Sequence, residues 1–235
     1  MKWPYREYKE KARYLFTGYT GILAQAMLIY AAALLAAAYV TMAAGTTGII
    51  AMLISLITSL FCQMLNAGRI GMVMDCGRSG QVKVSDVFTA FQRQPDKLLI
   101  VNIIVGVIRL LIFYMGETLI TMFAYAPIPD ALYIFLLIVV VAAMIAVNLY
   151  IHICFALVYY QFFDHPKWSS VELLLNSREM MYGWKWEMFK MLFSFIGWFV
   201  LGLLSFGIGF IWIIPYIDLT ISRFYEENFG NERPV

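Results

Sequence analysis

The placement of lysine and arginine constrains this chain more than any other feature. When its apolar runs are threaded through a bilayer as three hairpins, all but one of its 17 Lys and Arg residues fall on the same side. The gaps that would face outward, at 45–48, 126–131 and 205–209, contain neither residue. The basic residues gather instead at 2–13, 69–97 and 167–190, and at Arg223 with Arg233. Positive charge resists translocation, so these segments and both termini are expected on the cytoplasmic side. Only Arg109 lies deep within an apolar run.

Composition agrees with a membrane solvent. The chain is 62% hydrophobic and 14% charged, against roughly half and about a quarter in soluble domains. No polar stretch is long enough for a separate soluble unit, so residues 1–235 read as one polytopic membrane domain. The start does not read as a signal peptide, because a charged, aromatic segment precedes an apolar run of spanning length. The 3 cysteines, Cys62, Cys76 and Cys154, are odd in number and lack metal-like spacing. They are expected as buried thiols in a reducing compartment.

Six spans are predicted at 20–44, 49–74, 98–125, 131–163, 188–204 and 208–222. Crossing the hydrocarbon takes about 20 apolar residues, so the last pair barely reaches, and a re-entrant hairpin is its alternative. Gly207 and Gly209 suit a tight outer turn, and Pro215 should kink the final helix.

The inner segments carry helical patterns of their own. Over 4–19, Tyr5, Tyr8, Ala12, Leu15 and Tyr19 form one stripe beside Trp3, the pattern of a helix lying among headgroups. In 77–97, Ser85 is a candidate N-cap before Val87, Phe88 and Phe91; Pro95 ends that helix, and Asp96 caps the next. In 164–187, Ser169 and Glu172 have capping-box spacing, Val171, Leu174 and Leu175 form an apolar face, and Gly183 stops the helix. Arg13 with Gly18 matches Arg178 with Gly183 at the same spacing. The expected fold class is therefore all-α, with six transmembrane helices as three hairpins. Each hairpin would follow a cytoplasmic amphipathic interfacial helix, in repeats at 1–76, 77–164 and 165–235.

The segment from Ser177 to Lys185, the later Phe193-Ser194-Phe195-Ile196-Gly197-Trp198 and Gly207-Ile208-Gly209-Phe210, then Pro215-Tyr216 and Phe224-Tyr225-Glu226, resemble one known pattern. Together with Lys11-Ala12-Arg13 and Gly18, they look like the bacterial integral membrane family catalogued as domain of unknown function 975. That family is broadly similar to membrane domains of some glycerophosphodiester phosphodiesterases. The resemblance implies a six-helix protein of the bacterial cytoplasmic membrane and supplies no activity.

Arg109 is the sharpest candidate site. An isolated Arg at that depth costs about 2.5–3.5 kcal/mol on insertion scales, so it should face the bundle and find a partner. Glu117 and Asp218 are candidate carboxylates; a substrate, headgroup or ion is the alternative. Asn66 and Arg69, with Gln63 and Asn102, and Asn148 with His152, are polar residues that either line a shared cavity or bridge packed helices. Interfacial contacts are expected at Arg13, Lys83, Arg93, Arg178 and Lys185. Expected partners are membrane lipids, anionic headgroups foremost, and a further membrane protein; nucleic acid is not expected. No metal, cofactor or catalytic motif emerges. A non-enzymatic protein engaging lipid or partner through its basic inner helices is expected. The competing expectation is a transporter, or transport accessory, with a polar cavity around Arg109.

Overall fold

Helix is the only regular structure among residues 4–44 and 49–230, which the computed structural model describes. Trp3, Lys2, Arg233 and the gap at 45–48 lie outside those residues. In chain order the helices are α1 (Pro4–Ala43), α2 (Ile49–Arg78), α3 (Thr89–Gln92), α4 (Pro95–Tyr125), α5 (Asp130–Cys154) and α6 (Val158–Asp164). They continue with α7 (Ser170–Met180), α8 (Lys185–Phe193), α9 (Ile196–Leu204) and α10 (Phe210–Phe229). Five segments are long and apolar enough to cross a membrane: Tyr5–Ala43, Ile49–Arg78, Pro95–Tyr125, Asp130–Asp164 and Lys185–Leu204. The chain is a multi-pass membrane protein. α10 is 20 residues long but carries Asp218, Arg223, Glu226 and Glu227, and so does not qualify on composition.

The packed core gathers toward the end of the helices that carries Tyr8, Met74 and Phe224. Tyr160, Phe195, Phe224 and Tyr225 are among its largest fully buried side chains. They join Tyr8, Met74 and Met188 in a cluster that ties α1, α2, α6, α8 and α10 together. At the opposite end Leu35, Tyr39, Met42, Ile49, Met122 and Tyr125 are exposed. Apolar side chains lose nothing by facing lipid tails, so no hydrophobic force closes that end. Hydroxyls there are satisfied within their own helix: Thr41, Thr58, Thr118 and Thr121 donate to carbonyls one turn back.

Several local readings change. The stripe over 4–19 does not form a separate surface-lying helix. It opens a single 40-residue α1 that stays helical through Gly18. Tyr8 and Ala12 are buried, Tyr216 donates from its hydroxyl to the Lys9 carbonyl at 3.3 Å, and Lys11 pairs with Glu7 and Glu227. The cause is α10, which runs to Phe229 rather than ending near 222 and so covers the stripe with protein. Gly18 and Gly183 also differ, because only Gly183 has a positive φ, +85°.

In the middle segment Ser85 is not the cap. The Asp86 carboxylate accepts from the Lys83 backbone N–H at 2.7 Å, and a 3-10 turn over Val84–Phe88 leads into the short α3. Pro95 opens α4 instead of ending the helix before it, as suits a residue without an N–H to leave unsatisfied. The capping box before α7 forms as expected: Glu172 accepts from the Ser169 N–H at 2.7 Å and donates its own N–H to the Ser169 hydroxyl at 3.3 Å. The first of these bonds, with help from the hydroxyl, holds the Glu172 carboxyl below its ordinary pKa. The buried face of α7 is Leu173, Leu174 and Ser177, leaving Val171 and Leu175 outside. The fourth apolar run breaks between Cys154 and Val158, and the fifth between Phe193 and Ile196. Gly207 takes φ +87° in the turn before α10, where the Ser205 hydroxyl accepts the Gly209 N–H at 2.8 Å.

Candidate functional site

A cavity of about 320 Å³ lies among α2, α4, α5, α6, α8, α9 and α10, beside the break between α5 and α6. Its polar wall starts on α2, where Asn66 and Arg69 are three residues apart and share a face. Arg69 forms an ion pair with Asp218 of α10, donates to Asn66 Oδ1 at 2.7 Å, and stands 5.4 Å from the centre of the Tyr30 ring. The pair is buried, with Arg69 only 4% exposed. The hydroxyl of Tyr160 donates to the backbone carbonyl of Asp218 at 3.2 Å, which fixes α6 to α10 beside it. The Tyr159 hydroxyl, also in the lining, donates to Asn102 Oδ1 at 2.7 Å.

Two donors on this wall have no partner among the described residues: Arg69 Nε and Asn102 Nδ2. Both belong to residues at least nine-tenths buried, Asn102 being 2% exposed. Arg109 also lines the cavity, from the middle of α4. No hydrogen bond or ion pair joins Arg109 to another described residue, and its side chain is exposed. Two guanidiniums and one carboxylate therefore face one space. Such an arrangement favours an anion or an acceptor-rich group, because unpaired buried donors are costly until filled.

A second, more open groove of about 690 Å³ lies between α4 and α5. Arg109 and His152 belong to both spaces. Ile120, Val141, Met144, Ile145 and Leu149 supply the rest of its wall together with Asn148. The Asn148 amide is spent on the Met144 carbonyl of its own helix, at 2.9 Å.

The structure thus brings Asn66, Arg69, Arg109, His152 and Asp218 to one cavity, with Asn148 in the adjoining groove. It settles the partner of Asp218 as Arg69, not Arg109. Glu117 joins neither space. It is exposed on α4, eight residues beyond Arg109 and therefore about 12 Å further along the axis. Of the interfacial candidates, Arg13, Lys83, Arg93 and Arg178 are exposed, while Lys185 donates to the Tyr150 hydroxyl at 2.9 Å. Sequence reasoning missed Tyr30, Tyr159 and Tyr160. It also missed a second, half-buried charge cluster, where Arg78 bonds both Asp164 oxygens at 2.5 and 2.9 Å and also reaches Glu226. Only the charge types of Arg78, Asp164 and Glu226 hinted at it.

Fold and site together define a multi-pass helical membrane protein with a donor-rich cavity inside its bundle. Residues 1–231 match the family described as Protein of unknown function (DUF975), and the chain belongs to that family. No curated protein and no solved structure matches the chain. The wider likeness to phosphodiesterase membrane domains is therefore left without support.

Proposed function

We propose that this protein is a non-enzymatic, six-span protein of the bacterial cytoplasmic membrane that takes an anionic group into the cavity at Arg109, as a transporter or transport accessory. The topology counts α10 as the sixth span: at 20 residues it is about 30 Å long. The charges it carries meet partners within the bundle, the buried Arg69 and the half-buried Arg78, rather than lipid. With the outer gaps free of Lys and Arg, both termini are cytoplasmic. The observation that carries the function is Arg109 itself. A membrane-embedded arginine that served only to tie helices would be paired, whereas this one faces a cavity among unsatisfied donors.

The test is ligand-induced stabilisation of the purified protein in a neutral detergent, with sn-glycerol 3-phosphate as the probe. At a hundredfold excess over Kd, binding to the folded state adds about 2.7 kcal/mol. Arg109→Gln should erase that stabilisation and leave the stability without ligand nearly unchanged, since no pair is broken. An equal shift in the variant would refute the site.

A second reading rests on the inner surface. Arg13, Lys83, Arg93 and Arg178 are exposed without an ion pair among the described residues, and Tyr14, Tyr182 and Trp186 are exposed on the same elements or next to them. Cations beside interfacial aromatics suit anionic headgroups, each worth about 1 kcal/mol near the surface. Neutralising all four should weaken retention of phosphatidylglycerol through purification, measured by mass spectrometry, without changing the glycerol phosphate response. Unchanged lipid retention would remove this role.

A further inference from the structure

Building on the anion-binding reading, we infer that the ligand is an anionic lipid whose headgroup sits in the cavity and whose acyl chain lies in the α4–α5 groove. The two spaces adjoin, sharing Arg109 and His152 in their walls, so movement of those two side chains would let one molecule occupy both. Their chemistries differ as the two ends of an amphiphile do. The cavity offers Arg69 Nε, Asn102 Nδ2 and the unpaired Arg109 to an anion. The groove offers aliphatic walls, and its one amide nitrogen is already bonded within α5.

The groove also opens in the right direction. Val141 is 40% and Ile145 63% exposed on its wall, and just 6% of the most apolar stretch of the Asp130–Asp164 span is buried inside the protein. That side faces hydrocarbon, where a water-soluble solute gains nothing but a chain already dissolved in the bilayer enters at little cost. The location has a mechanical consequence. Arg109 is about 21 Å from the start of α4 and about 24 Å from its end, close to the middle of the bilayer. A headgroup held there has left its own leaflet, the position a lipid passes through in moving between leaflets.

The experiment compares two probes with one headgroup: sn-glycerol 3-phosphate and an oleoyl lysophosphatidate, each titrated into purified protein and read by native mass spectrometry. The wild type should bind the acylated probe at least about tenfold more tightly. Val141→Trp, or Ile145→Trp if the first does not fold, fills the groove from an exposed position. Either should bring lysophosphatidate down to the affinity of glycerol 3-phosphate and leave the latter unchanged. Lysophosphatidate affinity that survives a filled groove would overturn the lipid assignment while leaving the anion site standing. A change in oligomeric mass in place of lipid adducts would assign the groove to a second copy and also overturn it. Indifference of both probes to Arg109→Gln would instead bring down the anion-binding reading itself.

Discussion

Asp218→Ala should destabilise this protein more than any other single substitution in the cavity, by about 3–5 kcal/mol, the usual cost of stranding one member of a buried ion pair. Arg69 would keep its bond to Asn66 and its place near the Tyr30 ring, which sets the expectation toward the lower end of that range. Most of the loss is the penalty of an uncompensated buried charge. A double variant, Arg69→Met with Asp218→Leu, should therefore recover most of the stability. Reversible denaturation in mixed micelles checks both. The isosteric Asp218→Asn has a further use. It frees a guanidinium that the carboxylate now neutralises, so any protein that still folds should bind glycerol 3-phosphate more tightly than wild type. Weaker binding would mean that Asp218 contacts the ligand rather than restraining Arg69.

The contrast with Arg109 shows which parts of this site a sequence can reveal. Arg109 is conspicuous because it interrupts an apolar run, and Asn66 with Arg69 because their spacing puts them on one helical face. Their meeting with Asp218 is a different matter. It depends on α10 crossing α2 some 149 positions away in sequence, and nothing in the pattern of either helix encodes the register of that crossing. The same holds for Tyr159 and Tyr160, whose hydroxyls reach Asn102 and the Asp218 carbonyl 57 and 58 positions away in sequence. The α7 cap was legible because it depends on contacts three residues apart. The surface-lying N-terminal helix was misread for the opposite reason. An amphipathic stripe says that one face is covered but not by what, and here the cover is the C-terminal end of α10.

Gly68→Ala is the second large effect to expect, and it arises next to the site without touching the ligand. A Cβ at residue 68 would stand 1.8 Å from the Val87 carbonyl oxygen, a backbone atom that cannot rotate away. Val87 is itself fully buried, so the 3-10 turn over Val84–Phe88 must move off α2 as a piece. Overpacking against side chains costs typically about 1–3 kcal/mol; against backbone the expected loss is about 3 kcal/mol or more. Gly106→Ala on α4 is the control, because its Cβ would meet nothing within 4 Å. It should be neutral, or stabilise by up to about 1 kcal/mol, since alanine loses less entropy in a helix. Hydrogen exchange over 82–92 should accelerate in Gly68→Ala alone. Because Arg69 is the next residue on α2, a shift of that turn also disturbs the guanidinium at the cavity wall. Reduced glycerol phosphate binding should accompany the faster exchange. Normal exchange together with wild-type stability would show that α2 and the turn are not in the close contact that a glycine at this position requires.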